Sequence, residues 1–438
     1  MLQQERRARS GGGIGIATIA VIFSMISILV VGGGTQLPGA ANAAASGRTY
    51  YVDSVGGNDT NSGTSASSAW RTLSKASSAP LVPGDQLLLR RGDTWTGSLQ
   101  IIKSGTGAAP IMFDAYGTGA APLITGAGTC IAVSGSYVVV RDLHADNCSW
   151  AGIAIAGAGD RAERNLITHN AAGVDVKPTA TGAVIVHNEL RDNNKMSVLT
   201  KSPSNDDSGA FGISLHGDNS EIAYNTISGS SAFSYDYGID GAAVEVYGGR
   251  GNNIHHNLAV DDDAFTELGN PRSADNTFTY NVYRSSLSNS IFLVTRGGNS
   301  SLGPVVRTMA GNNTAYLTGS SSEGFVCYAG CNRQILRLRN NIFQVVWKAG
   351  YADAAFDEDY DLFYRGIFQF TRGAHSRVAN PQFVDPGSGN FHLQSTSPAI
   401  DAGTNIGLTT DFDGLSVPVD GNGDGVAVDD EGAFEYRR

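Results

Sequence analysis

Two glutamates, Glu245 and Glu267, occupy corresponding positions in two similar short segments. Carboxyl groups held about 5–5.5 Å apart can share the hydrolysis of a glycosidic bond, one as nucleophile and the other as acid and base. Asp240 is a third candidate, since Asp240 and Asp262 could carry the chemistry while the glutamates support them. Stacked acids can also form a solvated face or hold calcium between segments, and that alternative stays open.

The elements that must position these side chains repeat along the chain. Asparagines recur before short apolar steps, and a base period of about 23 residues with insertions is typical of a solenoid. Asparagines at the turns can pair with the coils above and below, or they can be ordinary turn residues. They are Asn165, Asn188, Asn225, Asn257, Asn281, Asn313 and Asn341.

A second short strand follows each asparagine, and its side chains alternate between two faces. Examples are GVDVKP, GISLHG, AVEVYG and FTELGN. β-branched residues are frequent, glycine marks the corners, and helical periodicity is absent over most of the chain. Coils built this way stack about 4.8 Å apart. The sequence therefore predicts an all-β chain folded as a single-stranded right-handed parallel β-helix.

Alignment of these second strands brings polar residues of different coils into register, with the two glutamates one coil apart. Placing the last acid in its column requires a one-residue bulge in that coil. The first outward column then contains Asp175, Ser214, Glu245 and Glu267. A parallel column, two residues along each strand, contains Lys177, His216 and Tyr247. Apart from Ser214 and the two glutamates, these residues are candidates for substrate binding.

Two inserted loops, at about 193–209 and 228–238, precede strands of this kind. They should rise on one side of the solenoid, and loops on one face of a repeat architecture usually form the binding face. Tyr235 and Tyr237 could stack on sugar rings or pack internally, whereas buried packing is expected for Phe233. Lys201, in the first loop, is a further candidate substrate-binding residue.

Both ends of the chain resemble secreted bacterial β-helix enzymes that act on polysaccharides and have the pectate-lyase-like fold. The resemblance is carried by residues 49–75, TYYVDSVGGNDTNSGTSASSAWRTLSK, and by a C-terminal stretch that begins NPQFVDPGSGNFHLQSTSPAIDAGTN. It covers most of 49–436. It implies the fold and an association with carbohydrate, but the superfamily contains lyases, hydrolases, epimerases and non-enzymatic members.

The stretch from Asp240 to Leu268 resembles calcium-dependent pectate lyases in its Asp-Gly start, its Gly-x-Gly-Asn turn and its later Asp-Asp pair. Glu245 stands where those enzymes have a lysine base. A lyase needs a base to remove the proton α to a uronate carboxyl group, often with calcium neutralising that carboxylate. The departure counts against lyase chemistry. Other lysines could still approach from a neighbouring coil or loop: Lys177, Lys195 and Lys201.

Calcium is the one cofactor that the sequence suggests, and no organic cofactor is expected. Hard oxygen ligands suit this ion, and acids are dense around the predicted cleft. The candidate cleft ligands are Asp206, Asp207, Asp262 and Asp263. Near the C-terminus, DGNGDGVAVDDE fits an EF-hand loop pattern, although flanking helices are not evident. The candidate ligands there are Asp420, Asn422, Asp424 and Glu431.

The N-terminal segment 1–45 reads as a targeting segment, with early arginines, an apolar run from Ile14 to Val31 and small residues that fit a cleavage site. An uncleaved membrane anchor is the alternative. We expect residues 1–45 to be a signal peptide and 46–438 to form the β-helix, with 380–438 as a closing segment. The mature protein is then extracellular, without a membrane span, and monomeric.

Four cysteines fit an oxidising compartment. Cys130 and Cys148 lie within one repeat of each other, and Cys327 and Cys331 lie closer still. Two disulfides are the simplest interpretation. Zinc is disfavoured because neither couple has a Cys/His pair at finger-like spacing.

The net charge of −11 argues against a nucleic-acid partner, which requires a basic face. The leading hypothesis is an extracellular glycoside hydrolase that uses a carboxylate pair on a polysaccharide. A calcium-dependent polysaccharide lyase and a non-catalytic glycan-binding surface protein are the alternatives.

Overall fold

The computed structural model describes residues 47–438. The signal peptide predicted over residues 1–45 lies outside this range. The chain winds through three long sheets in a fixed order, and in all three every pair of neighbouring strands is parallel, as in the coil Val138–Arg141, His144–Asp146, Ala151–Ile155. This confirms the right-handed parallel β-helix.

The three sheets contain 12, 11 and 12 strands, and the 11-stranded one is called the site sheet below. The first sheet contains Thr49–Val52, Gln86–Arg90, Ile111–Tyr116, Val138–Arg141, Arg161–Glu163, Val184–Val186, Glu221–Ala223, Asn253–His255, Thr277–Thr279, Thr308–Gly311, Leu336–Arg339 and Asp357–Asp359. The second contains Thr94–Thr96, Leu123–Thr125, His144–Asp146, Leu166–Thr168, Glu189–Arg191, Thr226–Ser228, Leu258–Val260, Val282–Ser285, Thr314–Leu317, Ile342–Val345, Leu362–Tyr364 and Arg377–Val378. The site sheet contains Leu99–Ile101, Thr129–Val133, Ala151–Ile155, Ala172–Val176, Phe211–Leu215, Ala242–Tyr247, Ala264–Gly269, Ile291–Arg296, Glu323–Tyr328, Lys348–Ala352 and Ile367–Gln369.

Several short elements lie outside the three long sheets. A 3₁₀ turn at Ala66–Ser68 precedes the α-helix Leu73–Ser77, and the Thr72 side chain caps the helix by accepting from the Lys75 amide. Within residues 47–438, no helix combines the length and the apolar character that a membrane crossing requires. Three antiparallel hairpins complete the described elements: Met196–Val198 with Ser208–Gly209, Ala232–Ser234 with Gly238–Asp240, and Phe383–Asp385 with Asn390–Leu393.

The predicted asparagines form a continuous buried ladder at the turn between the first and second sheets. At each step the amide oxygen of one asparagine accepts from the backbone and side chain of the previous one. Asn225 donates in this way to Asn257 Oδ1, with both distances 3.0 Å. The ladder runs from Asn165 to Asn341 and ends on Asp361. It supplies partners to buried backbone groups that no strand can satisfy.

The interior between the sheets is filled with apolar side chains contributed by every coil. Val174, Val244 and Val246 point inward from the site sheet and are fully buried. Aromatic rings stack along the axis, as in Phe265 and Phe292, whose centroids are 5.0 Å apart with an interplanar angle of 2°. Because inward positions are apolar, the alternate outward positions of the same strands are available for polar chemistry.

The segment 380–438 runs back along the outside of the second sheet. Phe383, Phe391 and Phe434 pack against Val282 and Ile342 of that sheet in a separate apolar cluster. Hydrogen bonds of the segment reach as far back as residue 256, since the side-chain Nε2 of His256 donates to the Asp411 carbonyl oxygen at 2.8 Å. This segment therefore straps several coils together from the side.

The two predicted disulfides are confirmed. Cys130 joins Cys148 and Cys327 joins Cys331, and the described chain has no free cysteine. The first bridge links the site sheet to the turn before the next coil of that sheet. The second closes a short turn after the strand Glu323–Tyr328.

Candidate active site

The predicted acids stand in one row on the outer face of the site sheet. Asp175 pairs with Ser214, Ser214 with Glu245, and Glu245 with Glu267 on successive parallel strands. The pairing from Ala242 to Tyr247 against the next strand shows no register shift, so the bulge expected in that coil is absent and that expectation was wrong. Neighbouring parallel strands lie about 4.8 Å apart, so the backbones of the two glutamates are held that close.

A buried arginine holds one acid of the pair. Arg296 Nη2 donates to Glu267 Oε1 at 2.6 Å, and the two side chains are 0% and 4% exposed. The guanidinium also lies over the Tyr328 ring, 5.3 Å from its centroid. A buried carboxylate needs a charged partner to offset the loss of hydration. Arg296 was not among the predicted residues, although it falls on the outward side of its strand, in the column of Tyr247.

The other end of the row is tied to an indole and a lysine. Trp150 Nε1 donates to Asp175 Oδ2 at 2.6 Å, and Lys177 forms an ion pair with the same oxygen. The Lys177 ammonium also lies 5.6 Å from the centre of the Trp150 ring. Asp175 is therefore occupied in fixing Trp150 and Lys177 beside the glutamates.

The second polar column orients a histidine. His216 Nδ1 donates to the Tyr247 carbonyl oxygen at 3.0 Å, and its Nε2 lies 2.9 Å from Ser214 Oγ. Because a carbonyl only accepts, Nδ1 carries the proton, and in the neutral ring Nε2 accepts from the Ser214 hydroxyl. The Tyr247 ring meets the His216 ring edge to face at 6.1 Å. Ser214, His216 and Tyr247 thus form a connected polar surface next to Glu245.

Two hairpins rise beside this row, at the predicted loops. Each lies just before a site-sheet strand, Phe211–Leu215 for the first and Ala242–Tyr247 for the second. Asp240 ends the second hairpin, and its carboxylate accepts from the Gly241 amide at 2.9 Å. Asp240 is thus close in sequence to Glu245, but it belongs to the rim and not to the acid row.

Asp207 joins the two hairpins. Its carboxylate accepts from the Thr200 amide at 2.6 Å, from Ser234 Oγ at 2.8 Å and from the Tyr235 amide at 2.7 Å. Burial works against ionisation, but these hydrogen bonds prevail and lower the pKa of Asp207. The residue therefore acts as a clip between the hairpins.

The predicted cleft ligands do not gather at one point. Among residues 47–438, one group of three potential ligands has its ligand oxygens within 4.8 Å of one another: Asp206, Asp207 and Asp236, of which the prediction missed Asp236. Asp262 is buried at a turn position, where its Oδ1 accepts from the Ser230 amide at 2.8 Å. Burial raises its pKa to about 7. Asp262 and Asp263 are thus not members of the group that contains Asp206 and Asp207, and calcium binding by these four candidates stays a prediction.

The C-terminal acids also separate. Asp420 accepts from the amides of Gly423 and Gly425, as a turn residue does, while Glu431 is fully buried and faces Arg377 Nε at 3.7 Å. The carboxylates of Asp420, Asp424 and Glu431 do not meet within 4.8 Å. As the sequence indicated, no helix of the described residues flanks the segment, and calcium binding by these residues stays a prediction.

The loop aromatics differ from the prediction in two places. Tyr237 is 7% exposed and its hydroxyl is buried, so it has no free face for a sugar. Phe233, which was expected to be buried, is 55% exposed and meets Tyr235 edge to face at 5.0 Å. Tyr235 is exposed, with the Lys201 ammonium 5.5 Å from its ring centre. The repeat period does not determine the path of an inserted loop, so the sequence could not assign these rings.

Comparisons with known proteins agree with this architecture. Residues 128–306 match the family described as the right handed beta helix region. The chain is 36% identical over 103 residues to a lacto-N-biosidase of Bifidobacterium longum subsp. longum, a match that spans 23% of this chain and 6% of that protein. Pectate lyase Pel9A has a similar structure, with a TM-score of 0.64, 18% identity and coverage of 90% of this chain and 98% of that one. A GH136 lacto-N-biosidase from Eubacterium ramulus gives a TM-score of 0.55 and 16% identity, over 76% of this chain and 68% of that one. At these identities the structural likeness shows the fold alone.

Proposed function

We propose that this protein is an extracellular glycoside hydrolase that cleaves a polysaccharide with Glu245 and Glu267. The observation that carries the proposal is the direct pairing of these two residues on neighbouring strands, on the outward face of the site sheet. The relationship to a lacto-N-biosidase over 103 residues supports glycosidic chemistry, and the two disulfides fit an oxidising compartment.

The surroundings of the two glutamates favour one of them as the nucleophile and the other as the acid and base. Glu267, held by Arg296, is placed to attack the anomeric carbon as a carboxylate. As the new bond forms and the glycosidic carbon–oxygen bond breaks, Glu245 protonates the leaving oxygen. It afterwards takes a proton from the water that displaces Glu267 from the glycosyl-enzyme intermediate. Ser214, His216 and Tyr247 flank Glu245 and would contact sugar hydroxyls. This assignment corresponds to retention of anomeric configuration.

Replacement of either glutamate tests the proposal. Glu245→Gln and Glu267→Gln keep side-chain size but cannot exchange the proton or act as nucleophile, so each should reduce release of reducing sugar by at least about 10³-fold. Glu189→Gln is the matched control, because Glu189 lies on an exposed outer position of the second sheet. Full activity in both site variants would refute the carboxylate-pair mechanism.

A polysaccharide lyase is the second candidate, and Lys195 is the observation that favours it. Desolvation lowers the pKa of this lysine, which is the change that a lysine base requires. Its backbone amide donates to the Asn170 carbonyl oxygen, at the turn before the strand Ala172–Val176, which carries Asp175 of the acid row. A lyase would release unsaturated products that absorb ultraviolet light, and Lys195→Met would abolish them. Reducing sugar without such absorbance would exclude this candidate.

A further inference from the structure

A groove of about 800 Å³ lies at the end of the site sheet where its strands begin, on the side of the N-terminal coils. Its floor comes from the turns before three strands, through Gly128, Ser149 and Asn194. Its wall is built by the two hairpins, through Met196, Leu199 and Phe233. Neither glutamate of the proposed hydrolytic pair lines this groove, whereas Lys195, the base of the lyase candidate, does.

The groove adjoins the acid row. Ser149, in the floor, precedes Trp150, whose indole donates to Asp175 in the row. Trp150 packs on a small apolar surface formed by alanines and Phe211 on the outer face of the site sheet. Five strand steps separate Thr129–Val133, beside the groove, from Ala264–Gly269, which carries Glu267. At about 4.8 Å a step, a ligand that reached both would extend about 24 Å along the axis.

Exposed apolar side chains concentrate on the hairpins that form this wall. The described chain shows large exposed apolar residues elsewhere as scattered positions, whereas five of them fall on these two hairpins: Val198, Leu199, Phe233, Tyr235 and Ile239. Apolar surface gathered at one place on a protein marks an interaction site. The Asp207 clip holds the two hairpins together, so this surface is preformed.

The groove carries positive charge, in contrast to the net negative charge of the whole chain. Among the described residues that line it, Lys195 alone is charged, although the chain carries a net charge of −11. The Lys195 ammonium is held by Asn147 Oδ1, which also lines the groove, at 2.5 Å. An aromatic face beside amide, hydroxyl and ammonium donors matches the apolar faces and the oxygen-rich edges of a sugar ring.

We propose that this groove is a distal binding site for the same glycan chain that the acid row cleaves, with Phe233 as the stacking platform and Lys195 as the donor to sugar oxygens. The proposal rests on the proposed function. It specifies the substrate as a chain of several sugar units that extends from the glutamates towards the N-terminal coils, and not a free disaccharide.

Affinity electrophoresis tests this without requiring catalysis. The protein is run in gels that contain polygalacturonate, alginate, xylan, galactan or arabinan, and a dissociation constant is taken from the retardation. The wild type should be retarded by at least one polymer, and Phe233→Ala and Lys195→Met should each weaken that binding by roughly tenfold. Tyr224→Ala and Lys103→Met are matched controls, because both residues are exposed and remote from the groove.

The outcomes separate the two proposals. Normal affinity in both groove variants, or no retardation of the wild type by any polymer, overturns the distal site, whatever the glutamate variants do. If the glutamate variants stay active but the groove variants bind weakly, the distal site stands and the hydrolytic mechanism fails. If Phe233→Ala instead converts a dimer into a monomer in light scattering, the groove is an interface between two copies and the glycan assignment is overturned.

Discussion

Replacement of one rung of the asparagine ladder, Asn257→Ala, should cost about 4 kcal/mol of unfolding free energy. The side chain accepts from the Asn225 amide at 3.0 Å and donates to the Ile222 carbonyl oxygen at 2.8 Å, and all of these groups are buried. Alanine leaves the buried Asn225 amide and the buried Ile222 carbonyl oxygen without these hydrogen bonds, and each loss costs about 1–3 kcal/mol. Two other ladder partners of Asn257 keep a hydrogen bond after the change. Asn225 Nδ2 still donates to the Ile185 carbonyl oxygen, and Asn281 Oδ1 still accepts from the backbone amide of residue 257.

Asn253→Ala is the matched control. Asn253 lies slightly earlier in the same coil, but it is exposed and its amide oxygen accepts only from Thr277 Oγ1. Its loss should change the unfolding free energy by less than about 0.5 kcal/mol. Urea unfolding followed by circular dichroism measures both variants. If the unfolding free energies of the two variants agree within about 0.5 kcal/mol, the buried ladder hydrogen bonds do not stabilise the coil stack.

Three further predictions concern charge and covalent links. Arg296→Met should destabilise the protein by about 3–5 kcal/mol, because it removes the charged partner of a buried carboxylate, that of Glu267. The double variant with Glu267→Gln should recover part of the loss in the same urea assay. Burial raises the pKa of Glu431 to about 9, so its contribution to stability is present below the ordinary carboxyl pKa of 4.5 and is lost as the pH rises towards 9. Over this pH range the unfolding free energy of Glu431→Gln should therefore fall less than that of the wild type. Equal pH dependence of the two unfolding free energies would contradict the burial argument. Replacing both cysteines of the bridge Cys130–Cys148 with alanine should lower the unfolding free energy by about 3 kcal/mol, and the same change at Cys327–Cys331 by about 2 kcal/mol. The first bridge closes the longer loop, and closing a longer loop removes more entropy from the unfolded chain. Thermal denaturation of the two double variants measures which bridge stabilises the protein more.

The repeat made much of the fold predictable from the sequence. The period of the asparagines sets the coil length, and strict alternation sets which residues face outward, so the register of Asp175, Ser214, Glu245 and Glu267 followed from alignment alone. No bulge is needed, because each glutamate is the fourth residue of its strand, counted from Ala242 and from Ala264, which pair with each other.

Features outside the repeat were harder to predict. Arg296 sits one coil beyond the acid row and bends back to Glu267, a direction that strand periodicity does not specify. The exposure of Phe233 and the burial of Tyr237 depend on the conformation of the inserted hairpin, which the repeat period does not determine. The C-terminal acids fit a metal-binding string, but helices that would shape such a loop are absent from the described segment.

The side strap formed by 380–438 has a consequence for shortened versions of the chain. A protein that ended at residue 379 would keep the strands of all three long sheets. It would nevertheless bare a stripe of Val282, Ile342 and Leu362 on its flank, which the strap now covers. Such a stripe, running across stacked strands, offers an adhesive surface to another molecule of the same kind, so the truncated protein should precipitate even though its winding is intact.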